Sequence, residues 1–265
     1  MLKFIKNKQF YIIAFVIMLA FVLIFSSACG KSKEAPAAGS PSAEQGPKAV
    51  KSEGVMTHDE YRAAEIGDEV VIETYVQAAQ AWWNDSIVLY TCDEDGAYFI
   101  YNLACTEEEA EKLVPGQKIK VTGTKAEWFG EIEVADATFE FEEGSYIAEP
   151  IDATDILGTA FLEPYRDSFV TIKGLTVEAM DESGAAFYYG WDNSQSPGTD
   201  SDLYFKVSKG GQEYVFVVEY YLCNEESEVY KAVRKLEVGQ TIDAECFLYW
   251  YNGVQPHVTS IKVSD

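Results

Sequence analysis

The sequence is poor in the residues on which most enzymes depend. Among its 265 residues it has only two histidines, and we interpret both, His58 and His257, as surface or rim residues rather than catalytic bases. No GxSxG, Walker, GxGxxG or HExxH motif is present. These absences predict a non-enzymatic protein that uses no cofactor.

Positive charge is also scarce. The chain has 20 Lys and Arg against 44 Asp and Glu, for a formal net charge of −24. An acidic excess of this size repels phosphate backbones, whose binding depends on Lys and Arg. The charge therefore disfavours nucleic acid as a partner and suits a solvated surface.

The N-terminus resembles a secretory signal. Lys3, Lys6 and Lys8 precede an apolar run over residues 11–25, and "SSAC" follows. The small residues before Cys29 resemble the lipobox of bacterial lipoproteins, which implies that residues 1–28 are removed and that Cys29 is lipidated. A plain transmembrane anchor is the alternative, but the apolar run is short against the roughly 20 residues that a spanning helix needs.

The resemblance implies a protein held at the extracytoplasmic face of the cell membrane by lipid on Cys29. Removing three lysines and no acid with the signal segment would lower the net charge from −24 to −27. Residues 29–55 are rich in Pro, Ala, Gly, Ser and charge, and we interpret them as a flexible tether.

Four cysteines remain once Cys29 is assigned to lipid. A bridge between Cys92 and Cys105 is excluded if "DEDG" (93–96) is a hairpin turn, because about 3.3 Å per residue would separate the two by roughly 20 Å or more. A bridge between Cys223 and Cys246 stays open, and buried free thiols are the alternative.

The acidic loops at 92–96 and 190–202 do not have the spacing of a calcium loop, so we predict no metal site. The "DEDG" segment is explained as a turn that needs glycine for a positive φ.

Strand patterns dominate the first globular segment. Alternating residues rich in β-branched and aromatic types predict strands at 69–76, 86–92, 97–103, 118–128 and 131–141. A helix is predicted between the third and fourth strands, where Thr106 and Glu109 form a capping box. Five strands in this order indicate an OB-fold barrel, which we assign to residues 56–149.

The second half repeats this plan. The segment 214–253 parallels 98–130, so that Cys223 matches Cys105 and Asn224, as a predicted N-cap, matches Thr106. We assign residues 152–265 to a second barrel with an extra or elongated hairpin, within 181–213, where its second and third strands join. The predicted fold is all-β, with two tandem five-stranded OB-fold barrels.

Each barrel resembles the OB-fold domains, related to the anticodon-binding type, that occur in surface lipoproteins of Gram-positive bacteria. That resemblance covers nearly the whole globular part. Fold alone does not give function, so the candidate site must come from the residues.

Aromatic side chains concentrate at the loops that border the usual OB-fold binding face, where rings stack on ligands. The candidate ligand-binding residues are Trp82, Trp83, Tyr98, Trp128, Phe129, Trp250 and Tyr251.

These residues predict a binding protein for a glycan, a peptide or another surface protein. The alternatives are a nucleic-acid-binding OB-fold protein, or a spacer or assembly subunit whose aromatics plug the barrels or pack between them.

Overall fold

Twelve strands and three short helices make up the part of the chain that the structure describes. This computed structural model describes residues 51–264, so the predicted signal segment, Cys29 and residues 29–50 of the predicted tether lie outside the described residues. The strands are β1 Glu69–Ala79, β2 Ser86–Asp93, β3 Gly96–Ala104, β4 Gln117–Trp128, β5 Glu131–Ser145, β6 Ile151–Asp152, β7 Phe169–Glu178, β8 Phe187–Tyr189, β9 Leu203–Lys209, β10 Gln212–Val218, β11 Thr241–Phe247 and β12 His257–Ser264. The helices are α1 His58–Ala63, α2 Glu107–Ala110 and α3 Glu228–Val233.

The first five strands close into a barrel. Their order around the barrel is β1-β2-β3-β5-β4, with antiparallel neighbours except for the parallel pair β3–β5. Helix α2 stands between β3 and β4, and both halves of its predicted capping box, Thr106 with Glu109, are present. This is the OB-fold strand order, and it confirms the predicted fold class.

The alternation of residues along the strands explains the barrel. In β4, Ile119 and Val121 are fully buried while Lys120 between them is only partly buried. Gly123 continues the inward row where the strand bulges against β5, and a Cβ there would lie 2.7 Å from the Val134 side chain. The glycine therefore allows two strands to approach inside the closed barrel.

The second barrel uses the same order. Its sheet runs β6-β7-β11-β12-β10-β9-β8, and an additional pairing of β7 with β9 closes the ring. Helix α3 stands between β10 and β11, as the repeat predicted, but Ser227 rather than Asn224 is its N-cap. The extra hairpin predicted within 181–213 is present and consists of β8 and β9. Strand β8 lies before the barrel's second strand, β9, so the predicted position at the junction of the second and third strands is wrong.

Each barrel has its own apolar core, and a third cluster joins them. Ile87 and Leu89 of β2 lie in the first core, whereas Val88 and Tyr90 point to the outer face. There they pack with Phe99 of β3 against Phe247 of β11. The second barrel therefore rests on the outer β2–β3 face of the first barrel, and both lie in one compact unit of the chain.

No helix among the described residues has the length and apolar character needed to cross a membrane.

Candidate ligand-binding groove

The loop between β1 and β2 presents its two tryptophans differently. Asn84 and Asp85 have positive φ angles of 50° and 59°, which form a tight turn next to Trp83. The Trp83 ring is 73% exposed. The Trp82 ring is half-buried against the first core, and its Nε1 donates a hydrogen bond to the Cys105 carbonyl at 3.0 Å. Of this pair, Trp83 is therefore available to a ligand and Trp82 anchors the loop.

The hairpin between β4 and β5 carries Trp128 and Phe129 at its tip. The turn has positive φ angles of 49° at Phe129 and 97° at Gly130, and the Trp128 and Phe129 side chains are both exposed. The Trp128 side chain is 57% exposed and contacts the Phe129 ring edge-on, at 4.9 Å between centroids. Trp128 therefore offers a free indole face at the rim of the first barrel.

The matching turn of the second barrel faces this hairpin. The rings of Phe129 and Tyr251 lie 5.0 Å apart, and the Asn252 amide donates a hydrogen bond to the Phe129 carbonyl at 2.7 Å. The half-buried Trp250 ring lies under the Arg166 guanidinium at 4.2 Å. Phe129, Trp250 and Tyr251 thus contribute mainly to the contact between the barrels.

Tyr98 cannot contact a ligand in this structure. It is fully buried in the first core, where its ring meets Tyr61 edge-on at 5.0 Å. Its hydroxyl has no hydrogen-bond partner among the described residues. The prediction of Tyr98 as a binding residue is wrong, because Tyr98 shares the inward face of β3 with Ile100, whereas Phe99 and Tyr101 point outward.

Two adjoining cavities form one groove beside the junction of the barrels. They have volumes of about 230 Å³ and about 330 Å³ and share Gln80, Val88 and Tyr101. We call the combined surface the aromatic groove; its ring-bearing walls are Trp83, Phe99, Tyr101, Trp128, Tyr221 and Tyr249. The groove follows the outer β2–β3 face, which OB-folds usually present to ligands, at the margin that the second barrel leaves open.

Glu133 and Glu219 line the larger cavity of the aromatic groove, and no Lys or Arg of residues 51–264 lines either cavity. Burial raises the pKa of Glu133. Burial also raises the pKa of Glu219 to about 7, against the effect of two backbone amides that donate to its carboxylate. The ionisable carboxylates of the groove therefore lie in the cavity of about 330 Å³, whereas neutral polar and apolar side chains line the cavity of about 230 Å³.

Both histidines are buried, so the prediction of surface or rim positions is wrong. The Tyr90 hydroxyl lies 2.6 Å from His257 Nδ1, and the His257 ring stacks on Tyr249 at 4.2 Å. Burial lowers the pKa of His257 to about 3, which leaves the imidazole neutral at physiological pH. His58 packs over the turn at Gly96, where a Cβ would lie 2.2 Å from its ring. This contact, rather than the positive φ that we predicted, explains the glycine.

A buried acid pair at the junction was missing from the sequence predictions. Glu131 is fully buried and accepts a 2.7 Å hydrogen bond from the Trp250 amide of the second barrel. Asp167 lies against it, and burial together with the mutual repulsion of the two carboxylates raises the pKa of Asp167 well above its usual range. The Arg166 guanidinium donates to the Gly130 carbonyl. No sequence motif marks this group, since its members come together only when the barrels dock.

The described cysteines are unbridged, and the acidic loops form turns. Cys92, Cys105, Cys223 and Cys246 are free thiols, and burial raises the pKa of Cys92 and Cys223. Among residues 51–264, no cluster of three or more His, Cys, Asp or Glu is placed to hold a metal ion. The "DEDG" segment forms the β2–β3 hairpin turn, with Asp93 opposite Gly96.

No protein-family model matches the chain, and no curated protein matches it. Solved structures do show a likeness. The p204 HINb domain has 10% identity over 76% of this chain and 100% of that chain, with a TM-score of 0.34. The Ifi202 HINa domain in complex with a 20-base-pair dsDNA has 15% identity over 75% and 100%, with a TM-score of 0.30. A murine DNA-binding protein bound to dsDNA has 13% identity over 74% and 98%, with a TM-score of 0.31.

These comparisons overturn the prediction that disfavoured nucleic acid as a partner. Two of the three similar structures contain dsDNA. That prediction rested on net charge summed over the whole chain, whereas binding depends on the charge of one local surface. The likeness itself is one of fold. The finer resemblances, to Gram-positive lipoproteins and to the anticodon-binding type of OB-fold, stay predictions.

Proposed function

We propose that the protein is a non-enzymatic binding protein whose ligand lies in the aromatic groove. The observation that supports this proposal most directly is the placement of three exposed rings, Trp83, Tyr101 and Trp128, along one continuous groove on an OB-fold binding face. Exposed rings that cluster in this way mark interaction surfaces. Single exposed aromatics scattered over a surface would not.

A glycan or a peptide is the first candidate ligand. The apolar faces of sugar rings and of peptide side chains pack on aromatic rings, and Gln80 and Asn102 in the groove wall can donate and accept hydrogen bonds. A surface protein that presents such a segment would use the same contacts. None of the described residues in the groove wall is a lysine or an arginine, which favours a ligand without negative charge.

Nucleic acid is the second candidate. Bases stack on exposed aromatic rings of OB-folds with little sequence preference, at about 1–3 kcal/mol per base. The rings of Trp83, Tyr101 and Trp128 supply such stacking surfaces. The similar structures described above include complexes with dsDNA. This candidate requires phosphates to lie outside the groove, away from Glu133 and Glu219.

One experiment separates these candidates. Glycans, cell-wall fragments, peptides and single-stranded and double-stranded oligonucleotides are tested for binding to the protein and to its Trp83→Ala and Trp128→Ala variants. Trp191→Ala is the matched control, because that ring is 84% exposed and lines neither cavity. We expect each groove variant to weaken binding about tenfold, which corresponds to about 1.4 kcal/mol, and the control to leave it unchanged.

The salt dependence of binding and the response of the variants distinguish the classes of ligand further. Binding that weakens steeply between low and moderate salt would indicate phosphate contacts, and salt-independent binding would indicate a neutral ligand. Ligand binding that is unchanged in both groove variants would contradict the assignment of the site. If no ligand class binds, the remaining alternative is a structural spacer or assembly subunit.

We also propose that lipid on Cys29 anchors the protein at the extracytoplasmic face of the cell membrane. The support is the sequence around Cys29, with its basic start, apolar run and small residues before the cysteine. Residues 29–55 would then hold the barrels away from the lipid surface. Fractionation of cells tests this proposal.

A further inference from the structure

Glu133 presents a buried carboxylate to the aromatic groove without a cation beside it. Glu133 is only 8% exposed, and it pairs with Phe99 in the parallel register of β3 and β5. Among residues 51–264, no cation pairs with this carboxylate and no donor hydrogen-bonds to it, and burial raises its pKa. Burying a charge without a partner is costly, so a positively charged ligand group would remove a penalty that the free protein bears.

The walls around Glu133 suit an organic cation. Tyr101, Trp128 and Tyr249 line the same cavity of about 330 Å³, and the Tyr101 and Trp128 rings are exposed to it. Aromatic faces attract ammonium groups through their quadrupoles, most strongly when the cation is desolvated. Glu219 adds a second carboxylate to the wall. The cavity volume is at the lower end of the range for small-molecule sites.

A metal ion fits these walls less well. Calcium takes six to eight oxygen ligands, and the cavity offers two carboxylates and the Gln80 amide, with His257, Val88 and aromatic rings making up the rest of its wall. No metal-holding cluster occurs among the described residues. An alkylammonium group needs only one carboxylate and ring faces, which are the groups present.

We propose that the aromatic groove recognises an organic cation, an alkylammonium group whose charge faces Glu133 and whose alkyl carbons pack on Tyr101, Trp128 and Tyr249. A lysine side chain, the N-terminal amino group of a polypeptide and a quaternary ammonium group all have this chemistry. The proposal rests on the proposed function, since it concerns the same groove, and it adds the chemical class of the group that is bound.

The test compares choline with its uncharged isostere 3,3-dimethylbutan-1-ol, which has the same shape. Binding of each probe to the protein is measured by calorimetry and by tryptophan fluorescence at pH 8 and moderate salt. We expect choline to bind at least tenfold more tightly than the alcohol. Glu133→Gln should remove this preference by weakening choline binding about tenfold while leaving the alcohol unaffected. Glu127→Gln, an exposed acid at the end of β4, is the control and should change neither.

Trp128→Ala should weaken binding of both probes, since the indole face contacts carbon whether or not the probe is charged. Equal affinity for choline and the alcohol in the unmodified protein would overturn the proposal without any variant. Calcium competing with choline at millimolar concentration, through Glu133, would overturn it in favour of a metal site.

The failure of this proposal is distinguishable from failure of the proposed function. If a glycan, peptide or oligonucleotide binds and Trp128→Ala weakens it, while choline shows no preference, the groove is a binding site but the ammonium assignment is wrong. If neither choline nor any ligand of the wider panel binds, both proposals are wrong.

Discussion

The acid pair at the barrel junction makes the stability of the protein depend on pH in a direction that can be stated. Glu131 is fully buried with Asp167 beside it, and burial raises the pKa of Glu131 from an ordinary value of 4.5 to about 7. A carboxyl whose pKa is higher in the folded than in the unfolded protein contributes stability that is fully present below about pH 4.5. That contribution is lost as the pH rises through about 7.

The size of this pH-dependent change in stability follows from the pKa shift of Glu131. One pKa unit corresponds to about 1.4 kcal/mol, so raising the pKa from 4.5 to about 7 corresponds to a change on the order of 3 kcal/mol in the free energy of unfolding. Glu131→Gln carries a neutral group of the same shape, and its amide oxygen can still accept from the Trp250 amide. We therefore expect the variant to match the unmodified protein at pH 4.5 and to be more stable at pH 8.

Urea unfolding monitored by tryptophan fluorescence at several pH values between 4.5 and 8 measures this difference. Comparing the variant with the unmodified protein at each pH cancels the contributions of titrating groups that do not interact with Glu131, so the difference reports the pair of Glu131 and Asp167. Glu127→Gln is the matched control, because Glu127 is exposed on the neighbouring strand. Parallel pH profiles for the unmodified protein and Glu131→Gln would refute the assignment of a buried, protonatable pair.

Two further predictions concern the junction and the anchor. Phe247→Ala should lower the free energy of unfolding by about 3–5 kcal/mol, because Phe247 packs between Tyr90 and Phe169. Urea unfolding measures this loss. The control is Phe161→Ala, which should cost less than about 0.5 kcal/mol because Phe161 is exposed. A comparable cost in both variants would contradict the packing role of Phe247. Cys29→Ser should move the protein from the membrane fraction to the soluble fraction of cells, and a variant that stays in the membrane fraction would indicate an anchor other than lipid on Cys29.

The strand order of the first barrel was predictable because its signals are local. Alternation in "KIKVTG" (118–123) fixes the inward face of one strand, and the Thr106–Glu109 capping box fixes the start of a helix within four residues. The same alternation could have corrected the prediction that Tyr98 binds a ligand. In "YFIY" (98–101) it places Tyr98 on the same face as the buried Ile100, and Phe99 and Tyr101 on the opposite face. The error came from counting aromatics rather than following the period of the strand.

The junction could not be predicted in the same way, because its contacts join distant parts of the chain. Tyr90 and His257 are 167 residues apart and meet through a single buried hydrogen bond. Glu131 and Trp250 are 119 residues apart. Local patterns carry no information on which outer face of one barrel receives the other. His257, which resembles a surface residue in the sequence, is therefore buried in the contact between the barrels.

Docking of the second barrel determines the character of the groove. A lone OB-fold presents an open β2–β3 face, but here part of that face is covered by Phe247. The open margin is bounded by Trp128 and Glu133 from one barrel and by Tyr249 and Glu219 from the other. A ligand that fills this groove would contact both barrels. Its binding would therefore stabilise their junction, by a free energy that grows with the ligand concentration relative to Kd. Changes at Phe247 should consequently weaken ligand binding from outside the groove, because they disturb the position of one of its walls.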